Sequence, residues 1–260
     1  MELVLRQVDY WTTVYRRTWR GSVVSSFLLP LLYLTAMGVG LGGYVDDAAR
    51  SDALGGLTYL DYIAPGLLAA TAMQTAVGEG MWPVMTAFKW QKTYHAMVAT
   101  PLRPRDILSA HLGFVAFRLL TTCGVFLVVL AVFGAIASWQ GALAALLVSV
   151  LVGMAHATPL FAFTAKAESP DGFSVLYRLG IMPMFLFSGA FFPVSQLPQV
   201  IAWLAYLTPL WHGVELTRMV STGTVSALPA LGHLAYLTLW LIAGWWAAAR
   251  LFRRRLVERG

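Results

Sequence analysis

Residues 119–137, LLTTCGVFLVVLAVFGAIA, and residues 141–165, GALAALLVSVLVGMAHATPLFAFTA, decide the fold class, because neither contains a charged side chain. Residues 221–249 are uncharged as well. A bilayer core about 30 Å thick takes roughly 20 such residues as a helix, which satisfies its own backbone hydrogen bonds where no water can. The remaining composition agrees. Hydrophobic residues make up 58% of the 260 positions and charged residues 12%, where an ordinary soluble domain carries about 25%. The mean hydropathy is +0.69. The sequence therefore predicts an all-α, polytopic membrane protein with a single membrane domain over residues 1–260, without repeats or a soluble domain.

Six spans are expected, at residues 23–42, 63–88, 112–137, 141–165, 179–192 and 228–251. Pro30 kinks the first, and Gly78, Glu79, Gly80 and Pro83 interrupt the second. Residues 2–20 read as an amphipathic helix in the membrane interface. Val4, Val8, Trp11, Tyr15 and Trp19 form one helical stripe, with Glu2, Arg6, Asp9, Arg16 and Arg20 opposite. These charges also exclude a signal peptide, so a mature chain starting at Met1 is expected. Residues 193–217 carry Pro193, Pro198 and Pro209 among Trp203, Tyr206 and Trp211. They are too broken to span, and they read as re-entrant helices between spans five and six.

Positive residues stay cytoplasmic, which orients the chain. Arg6, Arg16, Arg17 and Arg20 lie before span one. Lys89, Lys92, Arg103, Arg105 and Arg118 follow span two, and Lys166 and Arg178 follow span four. Arg250, Arg253, Arg254, Arg255 and Arg259 close the chain. Only Arg50 and Arg218 remain for the other side, where Asp46, Asp47, Asp52 and Asp61 accumulate. Both termini are thus expected in the cytoplasm. The formal net charge of +6 follows from this bias and gives no reason to expect nucleic acid as a partner; membrane lipids are the expected surroundings.

Several chemistries are not encoded. The lysines are Lys89, Lys92 and Lys166, none after a glycine, so no phosphate-binding G-x-x-x-x-G-K-[ST] loop exists. No H-E-x-x-H, no paired Cys/His spacing and no G-x-S-x-G elbow occurs, so neither metal ligands nor catalytic residues are assigned. His95, His111, His156, His212 and His233 are scattered over different segments, and Cys123 is alone in an apolar run. Glu79 and Arg118 are the ionisable residues within spans, and such groups carry a functional hypothesis by default. They pair across neighbouring helices as a structural brace, or Glu79 gates or relays protons. A proton-coupled secondary transporter acting without an ATPase therefore stands as an alternative.

Residues 88–107, FKWQKTYHAMVATPLRPRDI, form the most informative loop. Thr93 to Thr100 can form a short helix that Pro101 ends. Its Tyr94, Met97 and Val98 are expected to face the cytoplasm as docking knobs for a partner protein.

The core of this loop, QKTYHAMVATPL at 91–102, resembles that of type-2 ABC exporter permeases, especially the NodJ-like lipo-oligosaccharide branch and the daunorubicin-type drug exporters. A second match, FSGAFFPVSQLP at 187–198 and TPLWHGVELTR at 208–218, resembles the late signature of the same family. FKWQK stands where many relatives carry a glutamate-rich stretch. The resemblance covers essentially the whole chain. It implies a permease subunit of an ATP-driven exporter in the bacterial inner membrane, moving an amphipathic or lipid-linked molecule (a lipo-oligosaccharide, polysaccharide or drug). Two permease copies, identical or related, would sit on two copies of an ABC ATPase subunit. ATP and Mg would be bound there, with no cofactor in this chain. Lys92, Thr93, His95, Met97 and Thr100 would make the ATPase contacts. Phe192, Pro193, Pro198 and Pro209 would form an outer gate, with Trp82, Phe185, Phe187 and Phe191 available to apolar cargo.

Overall fold

The computed structural model describes residues 13, 16, 28, 31–45, 54 and 56–258. The interface helix expected over residues 2–20 lies outside them except for Thr13 and Arg16, both helical and exposed. The described residues contain helices and turns and no strand.

Helix α1 comprises a π-helical stretch, Leu34–Leu41, continued by Gly42–Val45. Helix α2, Tyr59–Gly80, starts on Thr58, whose hydroxyl oxygen accepts from the Asp61 amide at 3.2 Å. The chain breaks at Met81, and α3, Trp82–Lys89, restarts with Pro83 in its first turn, where a proline lacks nothing the helix needs. Short α4 is Thr93–Val98. Long α5 is Pro104–Val132, α6 is Trp139–Lys166 and α7 covers residues 171–187 with a π-helical turn at Tyr177–Ile181. A 3-10 turn, Val194–Gln196, leads to α8, Gln199–Tyr206, and α9, Pro209–Thr222. Helix α10, Ala227–Arg253, ends in a π-helical turn, Arg254–Glu258. Among the described residues, α5, α6 and α10 with its extension are long and apolar enough to cross a bilayer.

The expected boundaries need correction where capping chemistry overrides hydropathy. Helix α5 begins eight residues before 112, because Pro104 opens it and Asp106 caps back onto the Arg103 amide at 3.1 Å. It stops at Val132, just before Gly134 at φ +73°. Span five is displaced as well: α7 begins at Asp171 and ends at Phe187, so residues 188–192 are a turn. The segment expected to end at 217 carries its helix on to Thr222.

Helix α6 is the hub, packed against α10, α2, α9 and α5. Without water to drive apolar faces together inside a membrane, helices associate by close packing, and small residues permit it. Helix α10 meets α6 at Gly244, where an added Cβ would lie 2.7 Å from the Pro159 backbone nitrogen. On α9, Gly213 does the same against the side chain of Val152. Overpacking costs about 1–3 kcal/mol. Gly244→Val is expected at the upper end of that range, because backbone cannot step aside; thermal unfolding in detergent micelles measures it.

Candidate functional site

The short helix α4 is bolted to the bundle by aromatic rings. Tyr94 is 1% exposed, with ring centroids 4.7 Å from Phe88 of α3 and 5.3 Å from Phe252 of α10. Its hydroxyl makes a short hydrogen bond to His111 Nδ1 on α5, and that imidazole sits 4.9 Å from Phe161 of α6. Tyr94, expected as a docking knob, is instead an inward anchor. On a two-turn helix the bundle claims the largest apolar side chain first. Arg255 completes the anchor. Its guanidinium lies 4.3 Å over the Phe88 ring and donates to the carbonyls of Thr164, Ala165 and Ala167 at 2.8–3.2 Å, oxygens that the end of α6 leaves unpaired.

What α4 turns outward is mostly small and polar. Gln91, Lys92, Ala96, Ala99 and Thr100 are exposed, whereas Thr93, His95, Met97 and Val98 are half-buried. Lys92 has φ 52°, the one positive value among the described non-glycine residues, and it makes the sharp turn that sets α4 across the end of α3. Desolvation, followed by the nearby charges of Arg255 and Lys92, pushes the His95 pKa below its ordinary value. This favours the neutral ring.

Away from α4, hollows run along α2 and α7. The first, about 460 Å³, is lined by Met81, Trp82, Phe173 and Arg178. It shares Gln74, Gly78 and Tyr177 with a second of about 410 Å³ that holds Glu79 and Arg118. The third, about 670 Å³, shares Tyr33 and Phe185 with the second and reaches Phe192, Pro193 and Gln196. Neighbours in this series of hollows share lining residues, and the series forms a groove-like track from Trp82 of α3 to Gln196 before α8. Arg118 Nε donates to Glu79 Oε1 at 3.0 Å, with the two side chains 15% and 17% exposed. This pair joins α5 to the last turn of α2 at the groove wall.

At the far end the turn 188–192 is clamped onto α2. Gly189 takes φ +81°, open to glycine without strain. Its carbonyl accepts from Arg218 Nη2 at 2.7 Å and from the Tyr62 hydroxyl at 3.2 Å. Arg218 also donates to the Tyr62 carbonyl and to Glu215 Oε1, and lies 3.9 Å over the Tyr62 ring. Tyr59 donates to the Phe191 carbonyl, and Gly66 faces Ala190 so closely that a Cβ would meet its Cα at 2.7 Å. Arg218, read from the sequence only as an outside charge, is 8% exposed. The i, i+3 spacing of Glu215 and Arg218 was the available signal. Of the four residues expected to form an outer gate, Phe192 and Pro193 line the third hollow. Pro198 precedes α8 and buried Pro209 opens α9, so these two shape the helices behind it.

The chain is similar to known proteins over nearly its whole length. The profile of the ABC-2 type transporter family matches residues 9–221. Nodulation protein J of Rhizobium leguminosarum bv. trifolii is 32% identical over 255 residues, covering 95% of this chain and 94% of the relative. The proteins of the same name from Sinorhizobium fredii and Bradyrhizobium diazoefficiens are 32% and 30% identical, each over 95% of this chain and 94% of the relative.

Removing the Tyr94 ring should cost about 3–5 kcal/mol as Tyr94→Ala, and Tyr94→Phe about 1 kcal/mol for the lost hydrogen bond, both measured by thermal unfolding in micelles. Arg218→Gln, which strands buried carbonyls and Glu215, is expected to cost about 3–5 kcal/mol and to make residues 188–192 the first protease-sensitive segment.

Proposed function

The chain belongs to the ABC-2 type transporter family, and we propose that it is the membrane half of an ATP-driven exporter for amphipathic or lipid-linked cargo such as a lipo-oligosaccharide, polysaccharide or drug. The observation that carries this reading is the aromatic anchor of α4. A short helix presented at one end of the bundle is useful to a motor only if it cannot slip. Here Phe88, His111 and Phe252 hold Tyr94 from three separate helices, and Phe161 of a fourth backs the imidazole. Protein interiors are close-packed and transmit displacement. A push on α4 therefore moves α3 and the adjoining end of α2, which is a wall of the groove.

In this reading the ATPase is a separate subunit that supplies ATP and Mg, and it docks on Lys92, Thr93, His95, Met97 and Thr100. Gln91, Ala96 and Ala99 belong to the same outward surface. Two permease copies bring their grooves face to face, two ATPase copies lie beneath, and cargo travels between the grooves toward Phe192 and Pro193. The bias of lysine and arginine supports six spans in the bacterial inner membrane with both termini and α4 cytoplasmic and α8 and α9 re-entrant from outside. The Glu79–Arg118 pair supports a brace between α2 and α5 rather than a proton relay, because the carboxylate is already bound through Oε1 to the neighbouring helix.

An ABC ATPase is expected to co-purify with the detergent-extracted chain, and Ala96→Glu should lower ATP-driven transport in inverted vesicles at least about tenfold without changing thermal stability. Vanadate should stop that transport and a protonophore should leave it intact. Transport that a protonophore abolishes, by a chain that brings no ATPase with it, would make the proton-coupled alternative the correct one.

A further inference from the structure

The end of α10 changes from apolar to basic along a single stripe. Leu239, Ile242, Trp246, Arg250 and Arg253 follow one another at spacings of three and four, and all five are exposed. The described bundle leaves most of the apolar stretch of α10 uncovered, so Leu239, Ile242 and Trp246 offer a track to lipid. The stripe runs into a cleft of about 320 Å³. Arg250, Arg253 and Arg254 line it from the end of α10 and its extension, and Arg105 from the first turn of α5. Trp245 and Trp246, one turn back along α10, line it as well.

These guanidinium groups are lightly committed. Among the described residues, those of Arg105 and Arg254 make no hydrogen bond or ion pair. Arg250 lies 5.6 Å over the Trp246 ring, a contact that leaves its N–H donors unspent. Arg253 Nε is 3.9 Å from Glu258 Oε1, too far for a hydrogen bond. Glu258 is the carboxylate of the described lining, and Asp106, beside Arg105, is engaged at the Arg103 amide. The charged residues outside the described set that the lysine and arginine bias assigns to this side are Arg6, Arg17, Arg20 and Arg259 against Glu2 and Asp9. They are net basic too, so the sign of this end does not depend on where they lie.

Four arginines around one cleft call for an acceptor with several oxygens and a full negative charge. A phosphodiester fits, because a guanidinium fork takes two of its oxygens at once and is weakly hydrated to begin with. The apolar track says what carries the phosphate. Tryptophan and arginine gather at the level where headgroup meets acyl chain, and a chain laid on Leu239, Ile242 and Trp246 brings its own phosphate to Arg250 and Arg253. A soluble phosphate or an acidic protein segment leaves the track unused, and the ammonium of a zwitterionic lipid would meet like charge. We propose that the cleft of Arg105, Arg250, Arg253 and Arg254 binds the phosphodiester head of an anionic glycerophospholipid whose acyl chain lies along Leu239, Ile242 and Trp246. The site stands apart from the groove and goes beyond the exporter reading. Arg105 opens α5 and the other three arginines close α10, the helices that supply His111 and Phe252 to the anchor of α4. One headgroup bridging them makes anionic lipid a brace for that anchor.

The test uses the full chain in phosphatidylcholine nanodiscs containing a small fraction of lipid with brominated chains, because bromine quenches tryptophan fluorescence on contact. The probes are brominated phosphatidylglycerol and brominated phosphatidylcholine. Phosphatidylglycerol is expected to quench with an apparent affinity about tenfold tighter. Arg250→Gln with Arg253→Gln should bring the two lipids to parity. Arg250→Lys with Arg253→Lys keeps the charge, loses the fork and should still weaken the preference about threefold. Trp246→Phe should shrink the difference by removing the reporter beside the chain, and an undiminished difference puts the lipid elsewhere and overturns the site. Equal quenching of the unaltered chain by both lipids overturns it as well. Full preference in the lysine variant means attraction to surface charge alone, with no built site. Preference erased by excess inorganic phosphate assigns the cleft to a soluble anion instead of a lipid. Preference that survives Arg250→Gln with Arg253→Gln also overturns the proposal, and loss of ATPase co-purification in that variant then makes the cleft a protein-docking surface.

Discussion

A backbone carbonyl that leaves a helix in apolar surroundings must find a donor inside the protein, because an unpaired polar group there costs several kcal/mol. Among the described residues, two arginines meet this requirement. Arg255 collects the carbonyls of Thr164, Ala165 and Ala167 where α6 ends, and Arg218 takes that of Gly189, where α7 has given way to a turn, while also binding the Tyr62 carbonyl of α2. Each guanidinium also rests on an aromatic face, Phe88 in one case and Tyr62 in the other. Arginine suits the task because its planar fork presents several donors at once and stacks on rings. Where these arginines sit, the bundle can stop spanning and start doing something else.

The two ends of the molecule follow from that. Near Arg255 the aromatic rings gather into an anchor, and α4 projects from it with a thin polar skin. Near Arg218 the turn 188–192 is pinned to α2, while Phe192 remains partly exposed beside Pro193. Helix α2 reaches both ends. Its start carries Tyr59 and Tyr62, which hold the turn 188–192, and its last turn carries Glu79, which binds α5. One helix thus connects the anchored end, the Glu79–Arg118 pair and the turn 188–192. The family relationship gives that connection its purpose, since an ABC-2 permease has to couple events at one face of a membrane to passage through it.

Sequence reasoning found the elements whose signals are local. The limits of α6 lay within two residues of the uncharged run 141–165, and the short loop helix began at Thr93. The interruption of the second apolar segment also falls where glycine and proline placed it, at Met81. Elements whose limits depend on capping were less legible. Helix α5 starts in the polar loop because Arg103, Pro104 and Asp106 form its cap, and hydropathy is blind to that. Helix α7 ends early because Gly189 turns the chain, although the apolar residues continue to Phe192.

Composition and charge by themselves determined that the chain is helical and membrane-embedded. They did so because burial in a bilayer constrains every position of a span, and each residue reports on it alone. The direction of Tyr94, the clamp made by Arg218 and the cap made by Arg255 were decided only by tertiary structure. Each is a meeting of groups far apart in the chain: Arg218 is 156 positions from Tyr62, and Arg255 is about 90 from the carbonyls it caps. A sequence read residue by residue shows that such groups are charged or aromatic. Which of them meet is settled by how helices pack around α6, where small residues admit one approach and exclude others.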